Sequence, residues 1–332
     1  MTDPAGDWLL TTEERDNPHT RLPNRVPGNA CTPLIHGAEY FARLVEVVES
    51  TREGDYVFFT DWRGDPDELL TDDGPTVGSL LCDAARRGAN VRGLVWRSHL
   101  NLFGMSEEEN QTLDKELEGG GAEVILDQRV HRFGSHHQKL VVVRFPSTPE
   151  RDVAFVGGID LCHSRRDDAR HLGDRQVMPM AKAYGETPAW HDVQLEVRGP
   201  AVGALETVFR ERREDPTNAD SHNPIARIRD EIMNARLDTS PLPPVLPDPP
   251  TAGRQTVQPL CTYPAIKPPL DYAPDGERSI AGGYSKAILN ATRLIYLEDQ
   301  YMWSRDVAVL LARALRCNPR LHLVVVVPRV PD

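Results

Sequence analysis

The chain has 332 residues, 39% of them hydrophobic, and a formal net charge of -12. That length and composition supply a full core for one large or two ordinary domains, and the acidic balance argues against tight non-specific nucleic-acid binding, which needs a basic surface. No stretch approaches the roughly 20 apolar residues of a membrane span, and Met1 to Glu14 lacks a basic start followed by an apolar run, so a soluble, cytoplasmic protein is expected.

Phe41, Leu44, Val45 and Val48 recur at helical spacing within Ala38 to Thr51, Gly54 breaks the pattern, and Tyr56-Val-Phe-Phe-Thr-Asp61 reads as a buried strand. Val77 to Arg87 predicts a second helix, closed by Gly88, and Val91 to Trp96 a second strand. Such alternation marks an α/β fold. Ser106 and Glu109 form a capping box for a helix to about Glu118, Gly119-Gly-Gly121 ends it, and Glu123 to Leu126 is a short strand. The run Ser135 to Val143 is read as a strand that returns, after Phe145-Pro-Ser-Thr-Pro149, through Val153 to Val156 into Gly157-Gly158. Asp192 to Val197 follows as a strand, and Val202, Leu205, Val208 and Phe209 form the apolar face of the next helix.

Eleven prolines between Asp238 and Asp275 exclude regular helix or interior strand, so 238–278 reads as a linker or a long surface crossing. Beyond it the opening pattern recurs, with helix Tyr284 to Ala291, strand Leu294 to Glu298, helix Asp306 to Arg316 and strand Leu321 to Val327. Two halves built alike suggest a duplicated fold, a first lobe over 1–237 and the start of a second over 279–332. Five scattered cysteines without a Cys-x-x-Cys pair suggest reduced, mostly buried thiols.

His137-Gln-Lys139 carries the most chemistry. On a strand, residues two apart share a face, so an imidazole and an ammonium would stand together. A neutral imidazole beside a fixed cation is a poor metal site but suits attack on a phosphodiester, with the cation holding the non-bridging oxygens. From Gln128 to Pro149 there is no acid, whereas Arg129, Arg132, Lys139 and Arg144 are basic and His131, His136 and His137 can become so. A local positive pocket for a phosphate-sized anion is therefore expected.

These residues resemble the phospholipase D superfamily, whose signature is His-x-Lys-x-x-x-x-Asp, normally present twice. Gly28-Asn29, Pro33 to Phe41, the motif run, Phe155 to Leu161, Trp190-His-Asp-Val193 and Ile295 to Tyr301 all look like it, in order. The resemblance implies a mixed α/β fold of two similar lobes, a central sheet flanked by helices in each. In the family, one motif histidine attacks phosphorus to form a phosphohistidine and the other protonates the leaving alcohol, with no metal or other cofactor in that step. By position His137 would be the nucleophile, Lys139 the phosphate-binding cation, Asp192 the acid that orients the imidazole and Asp160 an orienting acid. Gly157 and Gly158 would let the phosphate approach the backbone, and Glu298 and Gln300 would shape the substrate pocket.

One departure stands out: the motif acid should fall at 144, where this chain has Arg144, and Asp152 is expected to take over its structural role. The offset from Val91 to His137, applied from Leu321, puts a second motif beyond Asp332, so the second lobe is expected to be incomplete and this chain weakly active or inactive alone. A second lobe or, less favoured, a homodimer would complete the site. The expected partner is a glycerophospholipid met in transient contact with a membrane surface, and no nucleic acid is expected. Two rivals compete. One is a catalytically silent scaffold or binding protein of the same fold. The other is a metal-dependent hydrolase, for which His131, His136, His137, His163, His171 and Cys162 would be the ligands; against it, Lys139 would oppose the cation.

Overall fold

The computed structural model describes residues 8–98, 107–131, 134–174, 189–216 and 240–329. By contact density the chain divides into two compact units, Arg21–Val257 and a second made of Met1–Thr20 with Gln258–Asp332. The larger unit is built on β1 (Val26–Ile35), α2 (Gly37–Glu49), β2 (Tyr56–Asp61), α3 (Val77–Arg86), β3 (Asn90–Trp96), α4 (Glu107–Gly119), β4 (Glu123–Asp127), β5 (Leu140–Arg144), β6 (Val153–Gly157), β7 (Val193–Arg198), α5 (Ala201–Arg213) and β8 (Gln255–Val257). α1 (Thr12–Arg15) belongs to the smaller unit.

The strands form one eight-stranded mixed sheet in the order β4-β3-β2-β5-β6-β7-β1-β8. β2, β3 and β4 run parallel, and β5, β6, β7 and β1 alternate antiparallel from β2. All six residues of β2 are buried, because both faces of the sheet are covered. Val57 and Phe59 join the core beneath α2, α3 and α4, and Phe58 stacks on Phe209 of α5 with ring centroids 4.9 Å apart.

β1 and β8 escape sequence reading for one reason. Pro27, Gly28 and Pro33 interrupt β1, and β8 lies in the proline-rich stretch, yet β1 pairs over Ala30 to Ile35 with β7 and also with β8. The tertiary ladder overrides weak local preference. Residues 240–257 belong to the larger unit as a surface crossing rather than a free linker. Proline lacks an N–H but keeps its carbonyl, and buried guanidiniums use that: Arg144 Nη2 donates to Pro247 O (2.5 Å) and Arg210 Nη2 to Pro243 O (2.8 Å).

The smaller unit repeats the helix-strand order. Its elements are β9 (Thr262–Tyr263), β10 (Glu277–Arg278), α6 (Ser279–Asn290), β11 (Leu294–Glu298), α7 (Arg305–Cys317) and β12 (His322–Val326), and β11 and β12 pair parallel as β2 and β3 do. α6 begins five residues before the expected Tyr284, its start hidden by Gly282-Gly283. Arg15 reaches Glu277 at 2.9 Å with both side chains buried, which anchors the N-terminal segment to this unit. None of the five cysteines forms a disulfide. The Ser106 cap lies outside the described residues.

Candidate active site

Strand direction gathers the site. β5 runs antiparallel to both β2 and β6, and β7 to β6. The end of β2, the approach to β5, the end of β6 and the start of β7 therefore meet at one end of the sheet, and these carry Asp61, His137 with Lys139, Asp160 and Asp192. The ladder of β5 starts only at Leu140, opposite Thr60, so the His137–Lys139 pair lies in the segment leading into the strand and not within it. β2 contributes Asp61 there, which pairs with Val95 of β3 on its other edge and whose carboxylate accepts from the Leu161 N–H (2.9 Å).

Lys139 is buried, its Nζ 3.1 Å from Asp160 Oδ1 and donating to His137 O at 3.3 Å. Arg165 approaches the other oxygen of Asp160 at 3.6 Å and lies over the Trp190 ring. The Trp62 ring faces both members of the pair: its centroid is 5.6 Å from that of His137 and 5.9 Å from Lys139 Nζ. His137 itself is exposed, so an imidazole that solvent can reach and a buried, charge-compensated ammonium both lie against the Trp62 ring.

The electrostatics divide the roles. Partial burial, and then the Lys139 charge, push the His137 pKa below the ordinary histidine value, so the ring keeps its lone pair in mildly acidic solution. Burial and the neighbouring Asp160 push Asp61 well above the usual carboxylate range. Burial also opposes charge on Asp160, but Lys139 and Arg165 outweigh it and hold this carboxyl below its usual value. The same burial thus favours the neutral form of Asp61 and, with two cations beside it, the charged form of Asp160. In an NMR titration His137 should show a midpoint below 6.5, and Lys139→Met should move it upward; a midpoint above 6.5 would contradict this environment.

Several expectations change. Asp192 accepts from the Val193 N–H at 2.7 Å and makes no hydrogen bond to His137, so the expected orienting bond is not formed. Its carboxyl is raised by burial, an effect offset in part by Arg165. At Gly157 a Cβ would collide with Gln194 and the Val193 carbonyl, and at Gly158 with the Asp192 carboxylate, so the missing side chains make room for the start of β7 and its approach. The expected positive pocket is also redistributed. Arg129 is paired with Asp127 at 2.9 Å, Lys139 with Asp160, and fully buried Arg144 with Asp152 and Glu206. Arg132 lies outside the described residues.

Asp152 does take a structural position: Oδ2 accepts from Arg144 Nε at 2.7 Å and Oδ1 from the Phe145 N–H at 2.6 Å. Glu298 and Gln300 lie in the smaller unit, where Tyr296 donates to Glu298 at 2.6 Å. The histidine-rich ligand set of the rival hydrolase does not assemble. His136 is buried against Gln138, His163 pairs with Asp65 and Asp67, and of the six only His171 belongs to a group with metal-binding geometry among the described residues. Asp61, Trp62 and Arg165 were missed as site residues. An acid closing an otherwise apolar buried strand was a readable signal for Asp61; Arg165 had none.

A sequence profile of the Phospholipase D family matches residues 65–235, just over half of the chain. The chain belongs to the phospholipase D superfamily. Among curated relatives, Phospholipase D alpha 1 of Vigna unguiculata is 26% identical over 288 residues, covering 70% of this chain and 35% of that protein. The alpha 1 protein of Cynara cardunculus is 27% identical, with 74% and 37% covered, and the alpha 4 protein of Arabidopsis thaliana 24%, with 87% and 44%. The chain thus spans less than half the length of these relatives. Among solved structures, phosphatidylserine synthase of Haemophilus influenzae aligns with a TM-score of 0.51 at 12% identity, covering 89% of this chain and 61% of that one. This likeness supports the superfamily fold.

Proposed function

We propose that the chain is the nucleophile-bearing part of a phospholipase D-type phosphodiesterase that hydrolyses or transfers the phosphatidyl group of glycerophospholipids. The observation that carries this reading is an exposed imidazole, His137, held toward its neutral form by partial burial and by the charge of the buried Lys139. A ring nitrogen of His137 donates its lone pair to phosphorus, the P–O bond to the leaving alcohol breaks, and that oxygen takes a proton as it departs. Water, or an acceptor alcohol in transfer, then attacks the phosphohistidine and regenerates the imidazole. Lys139 neutralises the charge that builds on the non-bridging oxygens.

Residues 1–332 contain a single His-x-Lys pair, so the leaving group's proton has to come from outside this site, from a second lobe or a second copy, and turnover by this chain alone is expected to be weak. Loss of one positioned proton donor costs about 10² to 10⁴ in rate. The membrane would be met transiently, at its surface, from the cytoplasm; no described helix is long and apolar enough to cross one.

The test is a covalent trap with an aryl phosphodiester, whose leaving group departs without protonation. Acid-labile label on His137, lost in His137→Asn, is the expected result. Folded protein that takes no label at His137 would overturn the nucleophile assignment and favour a silent member of the fold.

A further inference from the structure

Three imidazoles outside the Lys139–Asp160 pair converge at the same end of the sheet. Ile35, the last residue of β1, pairs with Val193, the first of β7, and the His36 N–H donates to Asp192 O at 2.9 Å. That register sets His36 beside His191, with Nδ1 to Nδ1 3.1 Å and ring centroids 4.8 Å apart. His171 is brought in by the segment after β6, which the Ala38 N–H ties down through Asp167 O at 3.0 Å; its ring lies 5.0 Å from that of His36 and 5.7 Å from that of His191. One nitrogen from each ring falls within 4.8 Å of the others.

We propose that His36, His171 and His191 form a transition-metal site of the zinc class, three imidazoles and a water, that pins the segment after β6 and the approach to β7 to the start of α2. A tetrahedral zinc with Zn–N near 2.0–2.1 Å separates its ligand nitrogens by about 3.3 Å, close to the separation between His36 and His191. His171 Nδ1 is engaged by Asp167 Oδ2 at 2.8 Å, which leaves Nε2 for the metal, the arrangement in which a carboxylate orients a ligating histidine and raises its basicity. Asp167 is fully buried, and its Oδ1 has no hydrogen-bond partner among the described residues. A metal on the far nitrogen of His171 would put positive charge where that carboxylate needs it.

Backbone conformation agrees. His36 and His171 both have positive φ, 74° and 52°, a region non-glycine residues seldom occupy and one that clusters at ligand sites. All three donors are nitrogens, which suits zinc, copper or nickel and not the oxygen-seeking calcium or magnesium. His171 and His191 are exposed, so water has access to the fourth position. The site needs neither His137 nor Lys139.

The full chain, untagged and stripped with chelator, is titrated with Zn²⁺ by calorimetry, and thermal unfolding is followed with and without the metal. One equivalent should bind and raise Tm, with Ca²⁺ and Mg²⁺ giving no rise. His171→Ala and His191→Ala, both solvent-facing changes, should weaken binding at least 100-fold and abolish the Tm rise, Asp167→Asn should weaken it about 10- to 100-fold, and His137→Ala should bind as the parent does. Binding that survives in the folded His171→Ala/His191→Ala double variant, binding lost in His137→Ala, an equal response to Ca²⁺, or no bound Zn²⁺ would each overturn the site.

Discussion

Replacing Arg144 by methionine should destabilise the larger unit by about 3 to 5 kcal/mol, the usual cost of removing one partner from a buried ion pair. Arg144 is fully buried and serves three acceptors at once: Asp152, Glu206 and the Pro247 carbonyl. Without it, Asp152 and Glu206, each 1% exposed, would face one another across a dry gap. Glu206 would retain Arg210, 2.5 Å away, but Asp152 would keep only the Phe145 N–H. Against a typical total stability of about 5 to 15 kcal/mol, that loss is about a fifth or more. Urea unfolding at constant m-value reads it directly. Arg144→Lys keeps the charge and loses the planar fork, so it should fall between parent and Arg144→Met. A change below about 1 kcal/mol in Arg144→Met would show that the network is not holding the crossing segment to the sheet.

The same residue marks where sequence reading stops. Arg144 stands seven positions after His137 along an extended path, about 20 Å away, so counting it into a phosphate pocket was a statement about charge in one dimension. The periodic elements were legible because their apolar spacing is a local property: α2, β2, α3, β3 and the second helix-strand pair all fall within a few residues of their expected places. β1 and β8 were not, since prolines and glycines hide strands whose existence depends on neighbours far away in the chain. At the site, Lys139 and Asp160 could be read from the motif and do pair, with Lys139 also reaching the His137 carbonyl. The direction of the Asp192 carboxylate could not, because it is decided by Gly158 leaving room for it and by the Val193 N–H. The histidine trio was illegible for the same reason, its members being 135 and 20 residues apart in sequence (171 − 36 and 191 − 171).

Lys139→Met separates folding from chemistry. On the proposed mechanism it removes the cation facing the phosphate oxygens, and turnover of an aryl phosphodiester should fall about 10²- to 10³-fold, as for loss of one preorganised charge-stabilising group. The variant also strips Asp160 of its closer counter-ion, 3.1 Å away, so that carboxyl should rise in pKa, with Arg165 the remaining cation at 3.6 Å. A stability loss is therefore expected beside the kinetic one, and the two can be pulled apart. Lys139→Met/Asp160→Asn no longer buries an uncompensated charge and should recover much of the stability lost in Lys139→Met. It should recover none of the turnover, because an amide at 160 cannot stand in for an ammonium at 139. Recovery of both together would mean that Lys139 acts only as a structural counter-ion to Asp160, and the phosphate clamp would have to be sought elsewhere in the fold.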